Sequence, residues 1–220
     1  MPRRTAAVLD RRLLAHAAAP LAVAYSGGGD SLALLMIADA WARRKGRPLI
    51  ALHVDHGLQP QSRAWAERCA AVAAGLGAGF RRLAWDGDKP LRGLPAAARG
   101  ARHRLIADAA REAGARIVLF GHTADDLSET LAMQAAGSTT PLAREWAPSP
   151  VWPEGRGLFL LRPLLGAGRA EIRDWLLARR QEWIDDPANE NLAYARARAR
   201  GLGGAQASPP PAIPSASGLA

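Results

Sequence analysis

The chain has 220 residues, 49% of them hydrophobic, which is room for one sizeable α/β core and little more. Its formal net charge of +9 and pI of about 11.1 favour a polyanionic partner such as RNA. The lone cysteine, Cys69, excludes an internal disulfide, a cysteine-based zinc site and a CxxC redox pair, and no apolar run approaches the roughly 20 residues of a membrane span.

Arg3, Arg4, Arg11 and Arg12 lie near the N-terminus, but the apolar stretch and cleavage site of a signal peptide do not follow them, so a cytoplasmic protein is expected. Residues 5–17 are predicted to form a helix. Leu21–Tyr25 reads as a buried strand, Ser26-Gly27-Gly28-Gly29-Asp30-Ser31 as a glycine-rich turn, and Leu32–Ala38 as the first turns of a helix. A second strand over 48–54 ends in Asp55-His56-Gly57. A helix over 62–77, carrying Cys69 as a buried structural thiol, leads to a third strand over 80–84. An alanine-rich helix over 95–113 bears Arg99, Arg102 and Arg104. A fourth strand over 115–120 runs into Gly121-His122, and the next helix carries Asp125, Asp126 and Glu129.

Between Gly137 and Gly157 four prolines break the pattern, which predicts a long irregular loop. Residues 158–165 resume the structure, and a helix over 169–180 places Ile172, Leu176 and Leu177 on one face. Residues 201–220 are uncharged and proline-rich and are expected to be a disordered tail, leaving 1–200 as one domain. Strands alternating with helices imply a Rossmann-like, doubly wound parallel sheet with helices on both faces. In such a sheet the site lies at the carboxyl ends of the strands, where the strand order reverses.

The turn at 26–31 has the chemistry of a phosphate site. Its three glycines allow the backbone to approach a bound group closely, and the N–H groups and dipole at the helix start stabilise an anion. Ser26 and Ser31 add hydroxyl donors, and Asp30 can orient a magnesium ion. No lysine lies nearby, so the turn is not a GxxxxGK[ST] loop. Further along, Asp126 and Glu129 are spaced i,i+3 and share one helix face, and Thr123 can cap that helix. Two carboxylates beside a phosphate site can bind magnesium or hold an amine; Asp125 and Asp126 could equally do no more than complement the helix N-terminus.

In order, SGGGDS (26–31), HVDHGL (53–58), Ala98-Arg99 with Arg102-His103, GHTADDLSET (121–130), RPLL (162–165) and Asp186-Pro187-Ala188-Asn189 resemble the tRNA(Ile)-lysidine synthase family of PP-loop ATP pyrophosphatases. The resemblance spans about residues 20–200 and implies a fold of the adenine nucleotide alpha hydrolase type. It implies an enzyme that adenylates the wobble cytidine of the CAU anticodon of tRNA(Ile) with ATP, after which L-lysine displaces AMP. Ser26, Gly27, Gly28, Gly29, Asp30 and Ser31 would then hold the pyrophosphate of ATP, with Asp30 near Mg2+. Asp126 and Glu129 would bind the lysine ammonium, and His122 and Arg99 would line the adenylation site. Tyr194–Arg200 resembles an arginine-bearing segment of the family that could face phosphates. Gln59, Ala96, Ala97 and the segment Met133–Thr140 depart from the family pattern. They motivate a catalytically impaired nucleotide-binding descendant as the alternative, beside another PP-loop tRNA-modifying enzyme. Family members usually carry further tRNA-gripping domains, so a chain ending at Ala220 is expected to rely on a homodimer or on its basic surface.

Overall fold

The computed structural model describes residues 1–14, 16–87 and 89–185. The Asp186–Asn189 motif, the Tyr194–Arg200 segment, the domain boundary at 200 and the tail over 201–220 lie outside the described residues. In chain order the elements are α1 (Pro2–Arg12), β1 (Leu21–Ala24), α2 (Gly29–Lys45), β2 (Leu49–Asp55), α3 (Ser62–Gly75) and β3 (Gly79–Ala84). They are followed by α4 (Leu94–Glu112), β4 (Ile117–Leu119), α5 (Ala124–Ala135), β5 (Trp146–Pro148), β6 (Phe159–Leu161) and α6 (Arg169–Leu177).

The sheet runs β3-β2-β1-β4-β6-β5, and every neighbouring pair is parallel except β5 with β6. The first strands step outward from β1 to β3. The connection through α4 then returns the chain to the other side of β1, so the order reverses between β1 and β4. A crevice opens at the carboxyl ends of those two strands.

Side chains alternate between two cores with the period of a strand. Leu21 and Val23 of β1, Leu119 of β4 and Leu161 of β6 face a core completed by Leu9, Leu34, Trp41, Cys69, Ile172 and Leu176 from α1, α2, α3 and α6. Ala22, Val118 and Leu160 face the opposite side, where Ile106, Ala107 and Ala110 of α4 cover them. Helices therefore cover both faces, as the alternating pattern predicts. Cys69 is fully buried, and burial pushes its thiol up to about 11, which suits an inert packing role beside Tyr25.

Three expectations need correction, the first being that Leu177, expected beside Ile172 and Leu176 on the apolar face of a helix over 169–180, is exposed at the end of α6. The 137–157 segment is not wholly irregular, because Trp146–Pro148 pairs antiparallel with Phe159–Leu161 and extends the sheet by one edge strand. A proline is tolerated there because an edge strand needs hydrogen bonds on one side only, and the rings of Trp146 and Phe159 stack at 5.2 Å. The first helix also begins and ends earlier than its apolar pattern suggests: Pro2 opens it and Leu13 is already extended.

Candidate functional site

The turn after β1 is shaped by its own hydroxyls. Ser31 Oγ donates to the Gly28 carbonyl at 2.9 Å, lies 3.0 Å from Ser26 Oγ, and accepts from the Ser26 N–H at 3.2 Å. Gly27 has φ +89°, open to glycine at little cost, and its carbonyl accepts from the Ile184 N–H. A Cβ at Gly27 would lie 2.5 Å from Ile184 Cδ1 and 2.8 Å from Cys69 Sγ. Gly28 is the N-cap of α2, and among the described residues only Ser26 Oγ and the Ile184 carbonyl lie within 4 Å of an added Cβ. The N–H groups of the first turn of α2 and the positive end of its dipole thus lie at this turn.

The end of β4 comes against this turn. A Cβ at Gly121 would stand 3.2 Å from the Asp30 carbonyl and from Ser31 Cα, so glycine permits the close approach of the two segments. His122 follows. Its Nδ1 accepts from Arg162 Nε at 3.1 Å, which fixes the neutral imidazole with its proton on Nε2, a donor. Arg162 also donates to the Arg144 carbonyl and is buried; burial, reinforced by the charge of Arg99, lowers its pKa. The His103, Phe120 and His122 rings stack in series at 5.4 and 5.9 Å. Burial, with the charges of Arg102 and Arg99, pushes His103 down to about 3. Arg99 itself is exposed on α4 and close enough to act electrostatically on both groups.

Helix α5 starts with a capping box. Thr123 Oγ1 accepts from the Asp126 N–H, while Asp126 Oδ2 accepts from the Thr123 N–H at 2.8 Å and from its hydroxyl at 3.1 Å. The cap leaves Asp126 Oδ1 directed at Arg169, whose Nη2 is 3.4 Å away. Arg169 Nη1 donates to Glu129 Oε1 at 2.9 Å, and Nε lies 3.4 Å from Asp30 Oδ2. The Arg169 backbone N–H, at the first turn of α6, donates to Asp125 Oδ2 at 2.7 Å. One guanidinium therefore joins the phosphate-type turn to the carboxylates of α5. Burial alone would lower the pKa of Arg169, but Glu129, Asp126 and Asp30 outweigh it and raise it. Asp30 moves up: burial disfavours its charge, and Asp126 and Asp125 repel it, against the pull of Arg169.

The structure thus brings Asp30, Asp126 and Glu129 together within reach of one arginine, with His122, held by Arg162, on the flank and the charge of Arg99 acting on Arg162. Asp55, from the HVDHGL stretch, does not join them: it is buried, bonds the Gly57 N–H and pairs with Arg82. His56 packs edge-on against Trp85. Sequence reasoning missed Arg169 and gave Arg162 no role. The only signals were a Gly-Arg step opening a helix and the arginine of RPLL, and in a chain with 29 basic residues a single arginine draws little notice. Among the described residues no group of three or more His, Cys, Asp or Glu could hold a metal ion unaided. A magnesium ion fits here only with Asp30 as its protein ligand and phosphate oxygens completing its shell, its usual mode beside nucleotides.

A largely parallel sheet with a hydroxyl-braced, glycine-rich turn at the point of strand reversal defines a Rossmann-like α/β domain whose strand-end turn stands beside an acidic cluster. The profile of the PP-loop domain matches residues 3–202, and the chain belongs to that family. It is 58% identical over 213 residues to a tRNA(Ile)-lysidine synthase of Caulobacter vibrioides, covering 94% of this chain and 52% of the relative. It is 45% identical over 187 residues to the enzyme of that name from Hyphomonas neptunium, covering 83% of this chain and 50% of the relative. The chain thus spans about half the length of these curated relatives. In fold it is similar to the U34-tRNA thiolase NcsA of Methanococcus maripaludis, with a TM-score of 0.74, 18% identity, and 91% and 70% of the two chains covered. It is also similar to an NH3-dependent NAD synthetase of Campylobacter jejuni, with a TM-score of 0.55, 13% identity, and 88% and 76% covered.

Proposed function

We propose that this chain is the ATP-binding, lysine-ligating portion of a tRNA(Ile)-lysidine synthase. The turn Ser26–Ser31 binds the pyrophosphate of ATP through the N–H groups at the start of α2 and the two serine hydroxyls. Asp30 is the protein ligand of the Mg2+ that accompanies the nucleotide; bound there, the ion neutralises phosphate charge. His122, a neutral donor at Nε2, and Arg99 stabilise negative charge as the cytidine carbonyl oxygen becomes bonded to the α-phosphate and pyrophosphate leaves. Asp126 and Glu129 take an ammonium group of L-lysine. The lysine ε-amine then attacks the ring carbon and AMP departs. The tRNA, carrying the CAU anticodon, is held through phosphate contacts to the basic surface, which includes Arg99 and Arg104.

The observation that carries the reading is the joint occupation of one crevice by the phosphate-type turn and the acidic cluster. Four carboxylates, Asp30, Asp125, Asp126 and Glu129, stand around the guanidinium and backbone N–H of Arg169. Such a cluster draws cations, and an ammonium and a divalent ion are among the ligands the reaction requires. The names of the similar curated proteins support the same reading. A cluster-dependent tRNA thiolase is disfavoured, because the one cysteine is fully buried in the core. The test is mass spectrometry of nucleosides from CAU-anticodon tRNA incubated with the chain, MgATP and isotope-labelled lysine. Labelled lysidine supports the assignment. ATP binding without any lysine-dependent product would instead favour the impaired descendant.

A further inference from the structure

We propose that the face made by α1, α2 and α6 carries a docking groove for an acidic peptide segment of a partner protein, with an apolar side chain seated between flanking carboxylates. This surface is separate from the crevice and does not depend on the reaction assigned above.

The groove is what remains open where the three helices meet. Ala6 of α1, Met36 and Ile37 of α2 and Trp175 of α6 line it, and its volume is about 260 Å³. Ile37, Ala40 and Arg44 follow the three-to-four spacing of one helix face, so a stripe of α2 is left uncovered between α1 and α6. Sites for nucleotides and other small molecules usually occupy about 300–1,000 Å³. This groove is smaller and suits one or two side chains. Met36 to Arg44 lie roughly 10–22 Å along α2 from its start at the glycine-rich turn, so an occupant of this size stays clear of the crevice.

The rim is positive and lacks counter-charges. Arg3 of α1 and Arg44 of α2 line the groove and are exposed, and among the described residues neither makes an ion pair or a hydrogen bond. The nearby acids are committed elsewhere: Asp39 to Arg43, Glu171 to Arg4 and the N-terminal amine, and Asp10 to the Trp41 indole and Lys45. Arg44 acts on Asp10 only through its charge. Asp174, next to Trp175 in sequence, does not line the groove. The Arg179 guanidinium stacks over the Trp175 ring at 4.2 Å and adds a third positive charge beside it. Carboxylates for Arg3 and Arg44 must therefore come from the occupant.

An apolar lining under a positive rim discriminates among partners. RNA would neutralise the arginines but leave the apolar lining uncovered. A wholly apolar segment would cover the lining and leave the guanidiniums without counter-charges. An apolar anchor flanked by Asp or Glu meets both demands. Burying one leucine- or phenylalanine-sized anchor supports roughly ten- to a hundredfold in affinity, whereas two exposed ion pairs at the rim add about three- to tenfold. The anchor sets the strength of binding, and the arginines set which peptide is taken.

Binding is read by fluorescence anisotropy on the full chain. The probe is a fluorescein-labelled octapeptide, Asp-Glu-Ala-Leu-Phe-Ala-Asp-Glu, compared with one carrying alanine for Leu and Phe, one carrying lysine for the four acids, and a labelled uridine octamer. The parent peptide should bind at least about tenfold more tightly than either altered peptide. Ala40→Phe fills the groove from an exposed position and should weaken the parent peptide by at least about tenfold. The double variant Arg3→Ala/Arg44→Ala should weaken it about three- to tenfold. Both variants should keep the wild-type Tm and MgATP affinity. Should Ala40→Phe melt early, the double variant, altered only at exposed positions, decides. Absence of parent-peptide binding, equal binding of the alanine-substituted peptide, or unchanged affinity in the double variant or in a stably folded Ala40→Phe would each overturn the groove. A uridine octamer that binds more tightly than the peptide and is weakened in the double variant would assign this face to RNA and overturn it as well.

Discussion

An added Cβ at Gly28 would find Ser26 Oγ at 3.5 Å and the Ile184 carbonyl oxygen at 3.9 Å, ordinary contacts, with the backbone at φ −69° where alanine is unstrained. At Gly27, one residue earlier, φ is +89° and the same atom would meet Ile184 Cδ1 at 2.5 Å and Cys69 Sγ at 2.8 Å. The two alanine variants should therefore fail in different ways. For Gly27→Ala the left-handed backbone costs roughly 1–2 kcal/mol and the overpacking another 1–3 kcal/mol, which lowers Tm by at least about 4 °C in a domain of this size. For Gly28→Ala, an N-cap penalty of up to about 1 kcal/mol is offset by roughly 0.4–1 kcal/mol from the restricted unfolded chain, so Tm should scarcely move. Its methyl, however, enters the space where phosphate meets the N–H groups of α2. Losing one or two charge-assisted hydrogen bonds there costs about 1.5–3 kcal/mol each, at least tenfold in affinity. Calorimetry with MgATP and a thermal melt on both variants read the two effects. If Gly28→Ala binds MgATP within twofold of wild type, or melts as early as Gly27→Ala, the assignment of this turn to phosphate is refuted.

Three further outcomes follow from the electrostatics. The Asp30 carboxyl is raised by burial and by Asp126, so its ionisation weakens the fold as pH climbs from its ordinary value of 3.8 through its higher folded value. Asp30→Asn should accordingly melt above wild type at neutral pH, lose that advantage near pH 3.8, and lose Mg2+-dependent ATP binding; a lower Tm at neutral pH would refute it. His103, held neutral between Phe120 and its arginine neighbours down to about pH 3, gives stability that is present above 6.5 and lost at about 1.4 kcal/mol per pH unit as pH falls through that window. His103→Phe should flatten the acid limb of a Tm profile, and an unchanged limb would reassign it. Binding of tRNA should fall with salt at a log–log slope of roughly −3 to −5 if about four to six phosphates are neutralised, and replacing exposed Arg99 or Arg104 by alanine should reduce the slope by about one; a flat wild-type response would remove the basic surface from tRNA binding.

Much of the site can be read in the sequence because its parts are local. A strand, three glycines between serines, and a helix declare a tight strand-to-helix turn within a dozen residues, and Asp126 and Glu129 declare a shared helix face by spacing alone. The reversal of strand order that brings these two stretches together follows from alternating strands and helices. Arg169 is different in kind. It meets Glu129 across 40 residues and Asp30 across 139, and nothing local distinguishes it from the other arginines. Arg162, which sets the proton position on His122 from another strand end, is hidden for the same reason. The edge strand at Trp146–Pro148 is obscured because prolines weigh against a strand, and only the presence of β6 beside it provides a partner.

The start of α5 couples the helix cap to the acidic cluster through a single side chain. Asp126 commits Oδ2 to the Thr123 N–H and hydroxyl and turns Oδ1 toward Arg169, so its rotamer is fixed by the helix cap before any ligand arrives. A substitution that re-aims this carboxylate also uncaps the helix, whereas asparagine keeps an oxygen for the Thr123 N–H but turns an NH2 donor toward the guanidinium. The direction of this carboxylate is thus a property of the helix start, and anything that frays the first turn of α5 also loosens the carboxylate from Arg169.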